Sequence, residues 1–110
     1  MEIKREERDS KIYKLYVEND KGEEVARSSL VMVWNDLHDE PYGLMEDVFV
    51  DESLRGQGMG TELVNAIIEE AKKQNCHKLI CTSRFGRDMV HELYKKLGFR
   101  EHGTEFRMNF

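Results

Sequence analysis

Residues 48–61 read VFVDESLRGQGMGT, an apolar strand-like ending followed by a glycine-rich loop. The run of residues 44–50 has the length and the β-branched ending of a buried strand. Residues 61–74 carry a stripe of apolar side chains, which predicts an amphipathic helix. Glycines let the backbone approach a ligand closely, and a helix start presents free N–H groups and partial positive charge. This strand–loop–helix order predicts a site for a phosphate-bearing ligand.

The loop matches neither of the two common nucleotide-binding fingerprints. No Lys-Ser/Thr pair follows its glycines, as a P-loop requires, and the third glycine of the dinucleotide fingerprint would fall on Thr61. On these residues alone, a tight structural turn stays an alternative explanation of the glycines.

The flanking segments extend the pattern to a whole fold. Residues 11–17 and 25–34 favour an antiparallel hairpin, because strand-forming side chains enclose turn-forming residues at 19–22. Downstream we expect a strand at 78–82, a helix at 87–97 and a closing hairpin at 99–102 and 104–109. A hairpin that leads into a strand–helix–strand unit predicts an α/β fold of mixed, α+β-like kind, with a central, mostly antiparallel twisted sheet.

Composition narrows the class of protein. The 110 residues predict a single domain over residues 1–110, and a net charge of −5 without a basic face argues against nucleic-acid binding. No apolar run approaches the roughly 20 residues that span a membrane. Cys76 and Cys81 are too few for a disulfide framework or a tetrahedral zinc site. We therefore expect no metal, two reduced thiols and a cytoplasmic location.

Two motifs resemble those of one family. Residues 46–60, EDVFVDESLRGQGMG, are similar to the central strand and the Arg/Gln-x-x-Gly-x-Gly/Ala pyrophosphate loop of the GCN5-related N-acetyltransferase (GNAT) superfamily. Residues 90–99, VHELYKKLGF, resemble the family's helix with its Tyr-x-x-x-Gly-Phe ending. The motifs occur in the expected order, with a helix and a strand between them. The resemblance covers residues 25–110 and implies the GNAT-like acyl-CoA N-acyltransferase fold.

The resemblance also implies a co-substrate and site residues. Acetyl-CoA would pair its pantetheine arm with the backbone of the strand end and place its pyrophosphate on the loop. The implied cofactor-binding residues are Val48, Phe49, Val50, Arg55, Gly56, Gln57, Gly58, Met59, Gly60 and Thr61. Tyr94 aligns with the tyrosine assigned as general acid to the departing sulfur. Glu46 aligns with a strand carboxylate that accepts the amine proton, often through water.

Ordinary structural roles compete with the chemical ones. Tyr94 lies on the apolar face of its predicted helix, so a purely packed tyrosine is a real alternative. Glu46 and Asp47 are expected on opposite faces of the strand, so at most one faces the cofactor, and we favour a partly desolvated Glu46. His91 is expected on the polar helix face, where a solvated histidine is the simpler interpretation.

Two features depart from the family pattern. Many members carry Asn seven residues before the tyrosine, whereas this chain has Arg87, which could meet a phosphate of the cofactor instead. The family also places two helices between its first and second strands. If residues 1–7 form the first strand here, only residues 8–10 separate it from the strand that begins at Lys11, and the two helices have no room. Without these helices the apolar hairpin would be exposed to solvent. A second subunit is the simplest way to cover it, so we predict a homodimer.

The leading hypothesis is an enzyme that transfers acetyl from acetyl-CoA to a primary amine, on a small molecule, by direct attack in a ternary complex. One alternative is an acyl-CoA-binding module with little turnover. Another is an acetyltransferase that accepts a peptide or protein at an open site. A structural protein that uses the loop only as a turn is the remaining possibility.

Overall fold

A computed structural model describes residues 1–110 as a mixed fold of strands and helices. The sheet has the strand order β1-β2-β3-β4, with the first three strands antiparallel and β4 parallel to β3. The elements are β1 Ile12–Glu18, β2 Glu24–Val33, β3 Tyr42–Val50, α1 Met59–Lys73, β4 Leu79–Ile80 and α2 Asp88–Lys96, with a 3-10 turn at Glu52–Leu54. The predicted α/β class, with its mostly antiparallel sheet and strand–helix–strand unit, is confirmed.

The chain forms two compact units, Met1–Ile80 and Cys81–Phe110. The first unit contains the whole sheet and α1, and the second contains α2. The single domain expected over residues 1–110 stays a prediction. Neither helix is long and apolar enough to cross a membrane.

The core of the first unit lies between one face of the sheet and α1. Alternate residues of β2 turn toward this side, because side-chain directions alternate along a strand. The buried core side chains are those of Ala26, Ser28, Leu30, Met32 and Met45 of the sheet, and of Leu63, Val64, Ile67 and Ala71 of α1. The α1 residues repeat at the spacing of one helix face, so the predicted apolar stripe is the side that packs inward.

An apolar row crosses the other face of the sheet. The strand register aligns Ile12 with Val31, Val31 with Leu44, and Leu44 with Ile80. Ile12 is 65% exposed and Ile80 is 40% exposed. The row therefore leaves apolar area accessible to solvent at the two edge strands.

The chain ends differ from the sequence-based expectation. The closing hairpin predicted at 99–102 and 104–109 is wrong, since residues 97–110 contain no strand. The alternating pattern is present there, but an isolated hairpin is marginal in water without further strands or a helix to pack on. Residues 1–11 also lack regular secondary structure, and β4 is shorter than the expected strand at 78–82.

Candidate active site

The glycine loop ends in left-handed backbone that leads directly into α1. Gly56 has a φ of 80° and Gly58 a φ of 81°, values that side chains rarely tolerate. Gly58 is the N-cap of α1, so the helix begins at Met59 rather than at the predicted Thr61. A Cβ added at Gly56, Gly58 or Gly60 would meet no atom within 4 Å. These glycines border open space, which argues against tight packing as their reason.

The amides of this loop have no internal acceptor. The first helical amide with a bond to the preceding turn is that of Glu62, which donates to the Gly58 carbonyl at 3.0 Å. The amides of residues 56–61 donate to no group of the first unit. Unpaired N–H groups at the start of a long helix form an anion site, because they add to its partial positive charge. The loop thus has the donors that a phosphate needs.

Side chains fix the loop by bonding to its own backbone. The Asp51 carboxylate accepts from the Ser53 amide at 3.0 Å and from the Ser53 hydroxyl, and these bonds hold the pKa of Asp51 below its usual value. The Arg55 Nε donates to the Val50 carbonyl at 3.4 Å, and the Gln57 Nε2 to the Ser53 carbonyl at 3.2 Å. Arg55 and Gln57 therefore shape the loop while its amides stay available.

The strand β3 has partners on both sides only near its beginning. It pairs with β2 along its length, but with β4 only at Gly43 and Leu44. From Met45 to Val50, the edge that faces away from β2 has no strand partner. An extended ligand can add to such an edge through backbone hydrogen bonds. This open edge leads along the chain into the glycine loop.

A β-bulge interrupts β3 at Asp47. The register to β2 shifts between Arg27 and Ser29, and Asp47 takes a φ of 55°. Aspartate tolerates this left-handed region better than most residues. On the opposite strand, the hydroxyl of buried Ser28 donates to the Glu46 carbonyl at 3.0 Å. Bulges re-aim side chains and occur often beside active sites, so this one bears on the two acidic residues.

The bulge separates the roles of those acidic residues. Alternation is broken here, so it no longer supports the expected placement of Glu46 and Asp47 on opposite faces. The Arg27 guanidinium lies 2.7 Å from the Asp47 carboxylate and holds the pKa of Asp47 below its usual 3.8. The Glu46 side chain is exposed rather than partly desolvated as expected, and it has no ion-pair partner in the first unit. Asp47 is thus engaged structurally, while the Glu46 carboxylate is free.

In the second unit, the Tyr-x-x-x-Gly-Phe signature ends α2 as a Schellman motif. The Phe99 amide donates to the Tyr94 carbonyl at 2.9 Å, and the Gly98 amide donates to the Lys95 carbonyl at 3.1 Å. Gly98 has the positive φ, 104°, that this ending requires. The aromatic rings of Tyr94 and Phe99 lie 5.5 Å apart. Helix termination therefore accounts for Gly98 and for the aromatic rings of Tyr94 and Phe99, but it gives no role to the Tyr94 hydroxyl.

The Tyr94 hydroxyl is held in its protonated form. Burial, reinforced by nearby Cys81, raises the pKa of Tyr94 above its usual 10.0, against a smaller opposing effect of Arg87. The hydroxyl makes no hydrogen bond within the second unit. A half-buried phenol with a free O–H can donate a proton to a developing anion.

Two further side chains of the second unit lie on α2 or at its start. Arg87 is the N-cap residue, although its side chain makes no capping bond. His91, expected to be solvated, is partly buried, and its Nε2 lies 3.0 Å from the Ser83 hydroxyl.

The first unit brings together Glu46 and the strand and loop residues predicted for the cofactor, whereas Arg87 and Tyr94 belong to the second unit. Sequence reasoning missed Arg27 and Ser28, which hold the bulge. The sequence signal that could have indicated the bulge is the pair of adjacent acidic residues inside an otherwise apolar strand.

Known proteins with similar sequences share one family. The profile of the Acetyltransferase (GNAT) family matches residues 2–99. Glucosamine 6-phosphate N-acetyltransferase of Trypanosoma brucei brucei is 37% identical over 67 residues, which are 61% of this chain and 44% of that protein. L-methionine sulfoximine/L-methionine sulfone acetyltransferase of Pseudomonas aeruginosa is 28% identical over 91 residues, 83% of this chain and 53% of that protein. The chain thus spans about half the length of these relatives.

Solved structures share the fold. An acetyltransferase of Trypanosoma brucei superposes with a TM-score of 0.83 at 30% identity, covering 90% of this chain and 69% of that one. Glucosamine-6-phosphate N-acetyltransferase of Arabidopsis thaliana gives a TM-score of 0.79, with 90% and 67% covered, and at 23% identity it shows the fold alone. The family profile extends over the glycine loop, the open strand edge and the Schellman motif, and this chain therefore belongs to the acetyltransferase (GNAT) family.

Proposed function

We propose that the chain transfers acetyl from acetyl-CoA to a primary amine of a small molecule, by direct attack in a ternary complex. The observation that carries this proposal is the run of free amides at residues 56–61, where the open edge of β3 leads into α1. These neighbouring features suit two parts of one ligand, an anion and an extended arm with amide groups. Family membership and relatives named for acetylating small amines support the reaction class.

The residues of the first unit fit the co-substrate. The amides from Gly56 to Thr61 would hold the pyrophosphate, and open space beside the glycines admits it without displacing a side chain. Backbone groups of Val48, Phe49 and Val50 would pair with the pantetheine arm. Arg87, in the second unit, would add a cation for a phosphate. When bound, acetyl-CoA supplies an acetyl group activated as a thioester.

Three groups of the chain handle charge and protons in this proposal. A protonated amine cannot attack, so Glu46 accepts its proton, and an exposed carboxylate suits transfer through water. The N–H near Val48 stabilises the oxyanion that forms on attack. Tyr94 donates its proton to the departing sulfur; a phenol with the usual pKa of 10.0 is protonated at neutral pH, and burial moves the pKa of Tyr94 further upward.

Two measurements test the proposal. Isothermal titration with acetyl-CoA tests binding, and a thiol-release assay tests turnover with a panel of amines that begins with glucosamine 6-phosphate and methionine sulfoximine. Binding together with release that depends on a small amine supports the proposal. Absence of binding would remove it, and release with peptide amines alone would favour the peptide or protein acceptor.

A binding module with little turnover is the second candidate. The loop amides and the open edge of β3, which would hold acetyl-CoA, do not by themselves require turnover. Acetyl-CoA binding without release for any amine or peptide would favour this module.

A homodimer in the cytoplasm belongs to the same proposal. A second copy could cover the apolar row of Ile12, Val31, Leu44 and Ile80, which is accessible at its ends. Cys76 and Cys81 are free thiols, as suits a reducing compartment. Sedimentation equilibrium tests the assembly, and a single 13.0 kDa species at micromolar concentration would exclude the dimer.

A further inference from the structure

Ser29 is the direct neighbour of Glu46 across the sheet. The strand register sets Ser29 of β2 opposite Glu46 of β3, in the regular part of the ladder next to the bulge. Side chains of such a pair point to the same face, with Cβ atoms roughly 5 Å apart. The residues on either side of Ser29, Ser28 and Leu30, are buried toward α1. Ser29 and Glu46 therefore lie on the other face, which carries the apolar row, and one small group can contact both.

The Ser29 hydroxyl has no hydrogen-bond partner in the first unit. The other serine hydroxyls of that unit are all engaged: those of Ser10 and Ser28 donate to backbone carbonyls, and that of Ser53 donates to a carboxylate. Ser29 is partly buried, so its hydroxyl is still accessible from the face of the sheet. A hydroxyl can accept as well as donate a hydrogen bond. Ser29 therefore offers a free acceptor beside the free carboxylate of Glu46.

The cations near this pair are neutralised by other carboxylates. Lys14 is the next residue in the same cross-strand row, but its ammonium contacts the carboxylate of Glu24. The Arg27 guanidinium lies 3.3 Å from Glu24 and 2.7 Å from Asp47. These two cations and two carboxylates compensate one another, and the negative charge of Glu46 is left over. A site with this charge and a hydroxyl acceptor favours a cation with several N–H donors, as in a protonated primary amine.

We propose that Ser29 binds the acceptor amine, and that its hydroxyl holds the amine beside Glu46 by accepting one N–H. This inference rests on the proposed function and adds to it a residue for the acceptor. The proton that the amine loses goes through water to the Glu46 carboxylate, whereas Ser29 keeps its own proton and accepts from a different N–H of the same nitrogen. This hydrogen bond exists before and during attack, so it contributes to binding of the amine rather than to the rate of the bound complex.

Ser29→Ala tests this hydrogen bond in the thiol-release assay, with the amine of the panel that has the highest kcat/KM. The KM for that amine should rise by roughly three- to ten-fold, as the loss of one hydrogen bond usually costs. The kcat and the KM for acetyl-CoA should stay within about two-fold of the wild-type values, because Glu46 and the loop amides are unchanged. Ser29→Thr keeps the hydroxyl and suits a strand, so it should restore most of the affinity for the amine.

Ser10→Ala is the matched control. Its hydroxyl bonds the Met32 carbonyl next to the start of β1, so its loss should leave the KM for the amine unchanged. A wild-type KM in folded Ser29→Ala, an equal loss in Ser29→Thr, or an equal loss in Ser10→Ala would each overturn the role of Ser29 while acetyl transfer itself stands. A wild type that binds acetyl-CoA but releases no thiol with any amine would overturn both the proposed function and the role of Ser29.

Discussion

The Phe99 ring lies 5.5 Å from the Tyr94 ring, and the Phe99 amide donates to the carbonyl of that tyrosine at 2.9 Å. Both contacts use parts of Tyr94 that a phenylalanine also has. Packing and chemistry at this position can therefore be separated by removal of one oxygen atom.

Tyr94→Phe should lower kcat by roughly ten-fold or more, because the departing sulfur loses its proton donor. The melting temperature and acetyl-CoA affinity should change little, since the Schellman motif is retained. Steady-state thiol release and thermal unfolding measure the two effects. Turnover at the wild-type rate would reduce Tyr94 to a packing residue.

Gly60→Val and Gly58→Val should abolish acetyl-CoA binding by filling the space beside the loop amides. Gly60→Val is the sharper test, because Gly60 lacks the left-handed φ that would strain a valine at Gly58. Isothermal titration measures binding, and circular dichroism checks the fold. Gly103→Val, also in open space, is the control that should bind normally. Unchanged affinity in folded Gly60→Val and Gly58→Val would remove the pyrophosphate assignment.

Glu46→Gln should slow turnover by a factor that shrinks as pH rises, because more of the amine is then already neutral. The pH profile of kcat/KM measures this. Asp47→Asn is the matched control: its carboxylate is engaged by Arg27, so the pH profile should keep its wild-type shape. A loss in Glu46→Gln that is the same at every pH would point away from a base.

The Arg27–Asp47 ion pair should contribute to stability in a pH-dependent way. Because the folded-state pKa of Asp47 lies below its usual 3.8, the contribution is present above that pH and is lost as pH falls through the folded value. Asp47→Asn should therefore lower the free energy of unfolding at pH 6. The difference between the wild type and the variant should become smaller as the pH is lowered. Asparagine tolerates the left-handed φ, so backbone strain does not intervene. Urea unfolding between pH 3 and 6 measures the difference, and a constant difference would contradict it.

Local patterns predicted most of the first unit. The apolar stripe of α1 is continuous in sequence, and β1, β2 and β3 carry strand-forming residues between recognisable turns. The start of α1 was placed too late, because Met59 and Gly60 look like loop residues until Gly58 is known to be the N-cap.

Non-local pairing set the limit of prediction. The bulge at Asp47 depends on Arg27 and Ser28 across the sheet, and neither contact is visible in the local pattern. Polar and apolar side chains alternate in the C-terminal residues as they do in a strand. This alternation does not show which strand the segment would pair with, and the hairpin predicted there is wrong. For the site, the motifs predicted the position of the loop. The unpaired amides of the loop and the exposure of Glu46 could be seen only in the three-dimensional structure.

The short pairing between β3 and β4 has a consequence for hydrogen exchange. Along residues 45–50, amides that point toward β2 are protected by the ladder, whereas those on the open edge have no ladder partner. Adjacent residues of one strand should therefore exchange at very different rates, which is unusual for a central strand. A ligand that docks on this edge would act as the missing neighbour, and slow exchange would then spread to the amides of the open edge.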